Sequence, residues 1–277
     1  MSEAPAFERL LKRDRMITLA GLAALCVLAW LYIVTGAGLG MSALDMTTLA
    51  WFPHQQARDS MSGMDMGGTA AWGLGTWTLM VAMWWIMMIA MMTPSAAPTI
   101  LLYARVRSHA LAQGRVQDRL ARTGAFAAGY LFVWLGFAVA ATTLHWVLER
   151  ADLSTTMMGS RSRWLSGTVL ITVGIYQLSP LKNVCLARCR TPAAFLSRHW
   201  RPHALGAIRL GALHGAYCVG CCWMLMSLLF VGGVMNLTWI AALAILVLIE
   251  KALAAGPWVG RLAGIALIGW GAVTLIV

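Results

Sequence analysis

The sequence predicts an all-α fold, a polytopic membrane helix bundle of about seven transmembrane helices with a cytoplasmic N-terminus. Three observations predict it. Of 277 residues, 60% are hydrophobic and 11% charged, the balance of a chain dissolved in lipid. The apolar residues fall in seven runs of spanning length, and in hydrocarbon such runs satisfy their backbone polar groups as helices, not as a barrel of short alternating strands. Finally, 17 of the 21 Lys and Arg residues occupy alternate segments between the runs, the asymmetry that sets orientation in a bilayer.

The runs extend from Ile17 to Gly36, Trp72 to Tyr103, Thr123 to Leu148, Trp164 to Leu181, Gly211 to Val234, Trp239 to Ala255 and Leu262 to Val277. The basic tail 1–16, the Arg105 to Arg122 segment and the basic loop 182–210 then face the cytoplasm, and the Met-rich loop 37–71 faces outward. Residues 1–277 form a single integral membrane domain, placed in a bacterial inner membrane. The first run follows Arg9, Lys12, Arg13 and Arg15 but lacks a small-residue cleavage site, so it is expected to stay as an anchor. Gly256-Pro257 marks the turn before the last run, which is short enough to be tilted or partly inserted.

The net charge of +11 raises nucleic acid as a partner, but basic residues confined to the segments between apolar runs set topology instead. No nucleic-acid partner is expected; the lipid bilayer is the first partner. There is no ATP-binding glycine loop, which argues against a pump driven by its own nucleotide hydrolysis.

Chemistry concentrates in the fifth run. At about 100° per residue, His214, Cys218, Cys221 and Cys222 share one side of a helix. An imidazole with thiols on one face suits a soft or borderline metal, copper(I) first and zinc second. Cysteine also packs as a small hydrophobe beside glycine, yet a histidine in lipid is costly unless used. If the fifth and sixth runs form a hairpin turning at Met235-Asn236, Glu250 lies level with Cys221. Glu250 is then expected to support the ligands from behind, with Asn236 alongside, while Lys251 snorkels to the cytoplasmic end.

At the end of the fourth run, Pro180 removes a helical donor and predicts a bend. Cys185 and Cys189 follow on one face and join the expected ligand set. Apart from Cys26, every cysteine lies toward the cytoplasm, so reduced thiols are expected rather than disulfides.

Methionines form the complementary set. Met61, Met64 and Met66 in the outer loop resemble thioether clusters that collect copper(I). Met80, Met83, Met87 and Met91 continue the set inward at helical spacing, ending where Pro94 and Pro98 are expected to kink the second run. A methionine stripe is also ordinary adaptable packing; its depth, ending near Cys221 and Glu250, favours a relay. His145 lies near the outer end of the third run, too far from His214 to share a haem. His199, Trp200 and His203 read as interfacial, as do Trp77, Trp84, Trp85 and Trp164.

Four segments together resemble a known family: Met-Met-x-Pro-Ser in the second run, Leu-Ser-Pro-Leu-Lys-x-x-Cys-x-x-x-Cys-x-x-Pro at 178–192, His-Gly-x-Tyr-Cys-x-Gly-Cys-Cys-Trp at 214–223, and Met235-Asn236 with Glu250-Lys251. They are similar to the bacterial family catalogued as domain of unknown function 2182, whose members are labelled predicted metal-binding integral membrane proteins. The resemblance covers roughly residues 75–275 and implies metal binding.

The sequence therefore points to a copper(I)-handling membrane protein acting in metal transport, delivery or assembly of periplasmic or membrane copper proteins, a non-enzymatic role. One alternative is a membrane thiol-disulfide oxidoreductase using Cys218 and Cys221; another is a scaffold subunit whose cysteines only pack.

Overall fold

The computed structural model describes residues 4–38, 42–45, 47, 72–114, 123–151, 162–201 and 203–276. Met61, Met64 and Met66 lie outside these residues. Among the described residues there is helix and turn but no strand, as expected of a chain that must close its backbone hydrogen bonds within each segment.

The helices are α1 (Ala4–Val34), α2 (Leu74–Ala112), α3 (Thr123–Arg150), α4 (Arg163–Leu178), α5 (Pro180–Arg190), α6 (Pro192–His199), α7 (Ala204–Ser227), α8 (Leu229–Gly232), α9 (Leu237–Ala252) and α10 (Gly256–Ile276). Five are long and apolar enough to cross a membrane: Arg15–Val34 within α1, Leu74–Leu111 within α2, all of α3, Ala204–Gly232 and α10. These lengths and compositions are consistent with a multi-pass membrane protein. The remaining two of the seven expected runs take other forms. The sixth becomes α9, of only 16 residues. The fourth breaks at Ser179, where α4 and α5 meet at a bend of 60°; if that pair counts as one broken span the total is six.

The break lies at the expected proline. Ser179 ends α4 and caps α5, its Oγ accepting from the Lys182 backbone N–H at 3.3 Å. Pro180 occupies the first turn of α5, where its missing N–H costs nothing. The basic stretch 182–210, expected as a loop, is thus largely helical. Its apolar residues Leu186, Phe195 and Leu196 are buried in the bundle, which is why the stretch folds inward instead of staying in water.

Helix α2 continues through both of its prolines for 39 residues. The Ala90 carbonyl, deprived of its helical donor by Pro94, accepts from the Cys26 thiol of α1 at 3.7 Å. Helices α3 and α7 approach until backbones touch: a Cβ on Gly129 would lie 2.0 Å from the Ile208 carbonyl oxygen, and one on Gly211 would lie 1.9 Å from that of Phe126. Only glycine permits this contact. The core lies where α2, α3, α7 and α9 meet, and α4 pairs along α10.

Candidate metal centre

His214, Cys218, Cys221 and Cys222 are all buried on α7. The Cys221 and Cys222 thiols both donate back to the Cys218 carbonyl, at 3.1 and 2.9 Å. Three other helices then bring partners to these sulfurs. From α3, the Tyr130 hydroxyl shares a hydrogen bond with Cys218 Sγ at 3.1 Å. From α9, Lys251 Nζ lies 2.9 Å from the same sulfur and 3.2 Å from Ser95 Oγ on α2. Also on α2, Met92 Sδ lies 3.8 Å from Cys222 Sγ. The Met92 carbonyl accepts from Tyr130 OH at 3.4 Å and Ser95 Oγ at 2.9 Å, fixing that turn of α2 against the thiols.

The bend before α5 carries Cys185 and Cys189 to the other side of the same stripe. Cys189 is buried, and its thiol interacts with that of Cys221. Cys185 packs on Gly220, its sulfur 2.9 Å from where a Cβ there would be.

His214, one turn before Cys218, is boxed between the rings of Phe126, Tyr130 and Phe195, with centroids 5.4–6.1 Å away. Its Nδ1 has no hydrogen-bond partner.

Glu250 takes a different place from the one expected. It is level with the thiols but turned away from them, in a buried ion pair with Lys182 at 2.6 Å. Gln177 Nε2 donates to it at 2.7 Å, and Arg190 Nη1 donates to its backbone carbonyl at 3.0 Å. Successive helical residues differ by about 100° in direction, so when Glu250 faces α4 and α5 its neighbour Lys251 faces α7. Lys251 does not snorkel outward; its ammonium reaches the Cys218 sulfur. Asn236 is likewise remote from the thiols, at the opposite end of α9, where its Oδ1 accepts from Thr238 N–H at 3.0 Å as the helix cap.

On α2, Met83, Met87 and Met91 are buried and Met80 is half-buried. The thioether that meets a thiol is Met92, the next residue after the expected stripe. Met92, Tyr130, Ser95 and Lys251 are thus site residues that spacing on α7 alone could not supply. Met92 and Ser95 belong to the Met-Met-x-Pro-Ser segment, and Lys251 was visible as an ionisable residue inside an apolar run. An isolated tyrosine such as Tyr130 carried no signal.

Among the described residues no three His, Cys, Asp or Glu side chains are gathered into a ligand cluster of their own. The sulfur contact between helices is that of Cys222 with the Met92 thioether, with Cys218 and Cys221 buried next to Cys222 on α7. Sulfur-rich sites of this kind suit copper(I), whereas zinc asks for four nitrogen, sulfur or oxygen ligands in a tetrahedron.

A family model described as a copper chaperone, PpoB2, matches residues 81–274. The chain belongs to the PpoB2 copper chaperone family. The PpoB2 match takes in all the site residues just described, from Met92 to Lys251, and leaves out Met61, Met64, Met66 and Met80. It ties the chain to copper. No curated protein and no solved structure matches it.

Proposed function

We propose that this protein is a chaperone for copper(I) in the bacterial inner membrane, taking the ion from the outer side and holding it on Cys218, Cys222 and Met92 for delivery to a periplasmic or membrane copper protein. In this reading the N-terminus is cytoplasmic, Met61, Met64 and Met66 collect the ion, and the thioethers of α2 pass it inward. The observation that supports it best is the approach of Met92 Sδ on α2 to Cys222 Sγ on α7, 3.8 Å apart, with Cys218 one turn away on α7 and its sulfur beside the Lys251 cation.

The cation gives the site a charge balance. When two thiols bind Cu(I), two S–H bonds break, two Cu–S bonds form and two protons leave, so the bis(thiolate) complex carries one negative charge. A lone charge within the bilayer is costly. The Lys251 ammonium, 2.9 Å from Cys218 Sγ, offsets it. His214, one turn along α7 toward the cytoplasmic end, supplies the next ligand, and Cys221 with Cys189 supplies a second thiol pair alongside.

The test is elemental analysis of the purified full chain after Cu(I) loading, beside a Cys218→Ser/Cys222→Ser variant. About one copper per wild-type chain, lost in the variant, is the expected result; equal copper in both rejects the site. A second reading, thiol-disulfide exchange, draws on the Cys189–Cys221 contact. A mixed disulfide trapped through either thiol would favour it over metal handling.

A further inference from the structure

Among the described residues, eight buried side-chain nitrogen or oxygen atoms have no hydrogen-bond partner, and six of them lie on α2 and α3; besides Arg107 Nε, near the C-terminal end of α2, these are Trp84 Nε1, Thr93 Oγ1, Trp134 Nε1, Thr142 Oγ1 and His145 Nδ1. These last five residues are nine-tenths buried or more. An unpartnered buried polar atom costs about 1–3 kcal/mol, and each one in a native protein calls for an explanation such as a water or an ion that it meets. A seam that served packing alone would be apolar.

The antiparallel register shows what these atoms face. Tyr130 bonds to the Met92 carbonyl, and Trp72 Nε1 donates to Glu149 Oε2 at 2.9 Å, so residues whose numbers total about 222 lie level. Thr142 is therefore level with Met80, and Trp134 with Met87 and Met88. Tyr130 lies beside Met92 at the thiols. His145 stands at the far end, about 22 Å from Tyr130 along α3, against the rings of Trp72 and Phe230. The Tyr130, Trp134, Ala138, Thr142 and His145 positions form one buried stripe of α3, and the buried methionines of α2 lie at the same depths.

We propose that this seam is a path for a soft univalent cation, entered at His145 and ending on Met92 and Cys222. This rests on the copper reading of the thiols and adds the entrance and route. The His145 imidazole nitrogen takes the ion first. The ion then exchanges between α2 thioethers, with the Thr142 hydroxyl oxygen as a stepping ligand and the two indole N–H groups placed to hold the water or counter-anion that travels with it. A histidine buried within a membrane-spanning helix is a mark of such routes.

The test uses the full chain in sealed vesicles sorted by orientation, with Cu(I) added from the side bearing Trp72 and His145. Its arrival is read as timed protection of Cys218 and Cys222 from alkylation, by mass spectrometry. Thr142→Val and His145→Phe are each expected to slow protection about tenfold, and His145→Gln less; Leu144→Ala, on the exposed face of α3, leaves the rate unchanged. Thr142→Val removes an unpartnered hydroxyl without changing side-chain size, so it should keep or raise Tm. A purely structural role predicts that same gain with no change in rate. Wild-type rates in Thr142→Val and His145→Phe, with the wild-type thiols protected, overturn the path and leave the copper site standing. No protection in the wild type from either side overturns both.

Discussion

Lys251 Nζ lies 2.9 Å from Cys218 Sγ, a lysine of α9 in direct contact with a cysteine of α7. A lysine in an apolar helix ordinarily reaches for water; this one is held inward by a sulfur and by Ser95. If the contact balances the charge of a copper-thiolate unit, Lys251→Met should weaken Cu(I) retention by about ten- to a hundredfold, and Lys251→Arg by less. Competition with a chromophoric Cu(I) chelator measures this; an unchanged affinity in Lys251→Met would remove the lysine from the site.

The neighbouring residue makes a separate prediction. Glu250 and Lys182 are a buried pair at 2.6 Å, and removing one partner strands the other charge, at a cost of about 3–5 kcal/mol. Glu250→Gln should therefore lower Tm in detergent substantially. A double Glu250→Leu/Lys182→Met substitution, which removes both charges, should recover most of the loss.

Met92→Leu keeps volume and apolarity but deletes the sulfur 3.8 Å from Cys222 Sγ. It should leave Tm within about 1.5 kcal/mol of stability, while sulfur- and copper-edge spectra of the loaded protein lose the thioether contribution. An unaltered spectrum would show that the copper rests on the cysteines alone.

Gly211→Ala tests the frame of the site. Its Cβ would meet the Phe126 carbonyl oxygen at 1.9 Å, so α3 and α7 must part, at an overpacking cost of about 1–3 kcal/mol or more. Tyr130, one turn along α3 from Phe126, should lose its bond to Cys218. Gly136→Ala, with nothing within 4 Å, should be neutral or gain up to about 1 kcal/mol from helix propensity. Thermal unfolding of the two variants side by side gives the answer.

The helical, membrane-spanning character was legible because hydropathy acts on every residue of a run at once. The His214 to Cys222 stripe was legible for a similar reason, since helical spacing alone puts those residues on one face. Depth was legible too: the hairpin register placed Glu250 level with Cys221. What spacing could not give was azimuth. Whether Glu250 or Lys251 turned toward α7 depends on Lys182 and Gln177, which wait on α4 and α5 to receive a carboxylate. Those residues come into range only through a bend whose angle no local pattern specifies. In the same way Met92 rather than Met91 reaches the thiols because α2 is held in rotation by Tyr130 and, through Ser95, by Lys251, partners far away in the chain.

The break at Ser179-Pro180 divides one stretch of sequence between two neighbours: α4 lies along α10, and α5 lies along α7. Had the helix run straight, Cys185 and Cys189 would have followed α10 away from α7, and the Cys189–Cys221 pairing would not exist. A single imino acid thus acts as a railway point, switching two cysteines from one track of the bundle to another. Making the joint stiffer or straighter, as in Pro180→Ala, would part Cys189 from Cys221 without touching a sulfur.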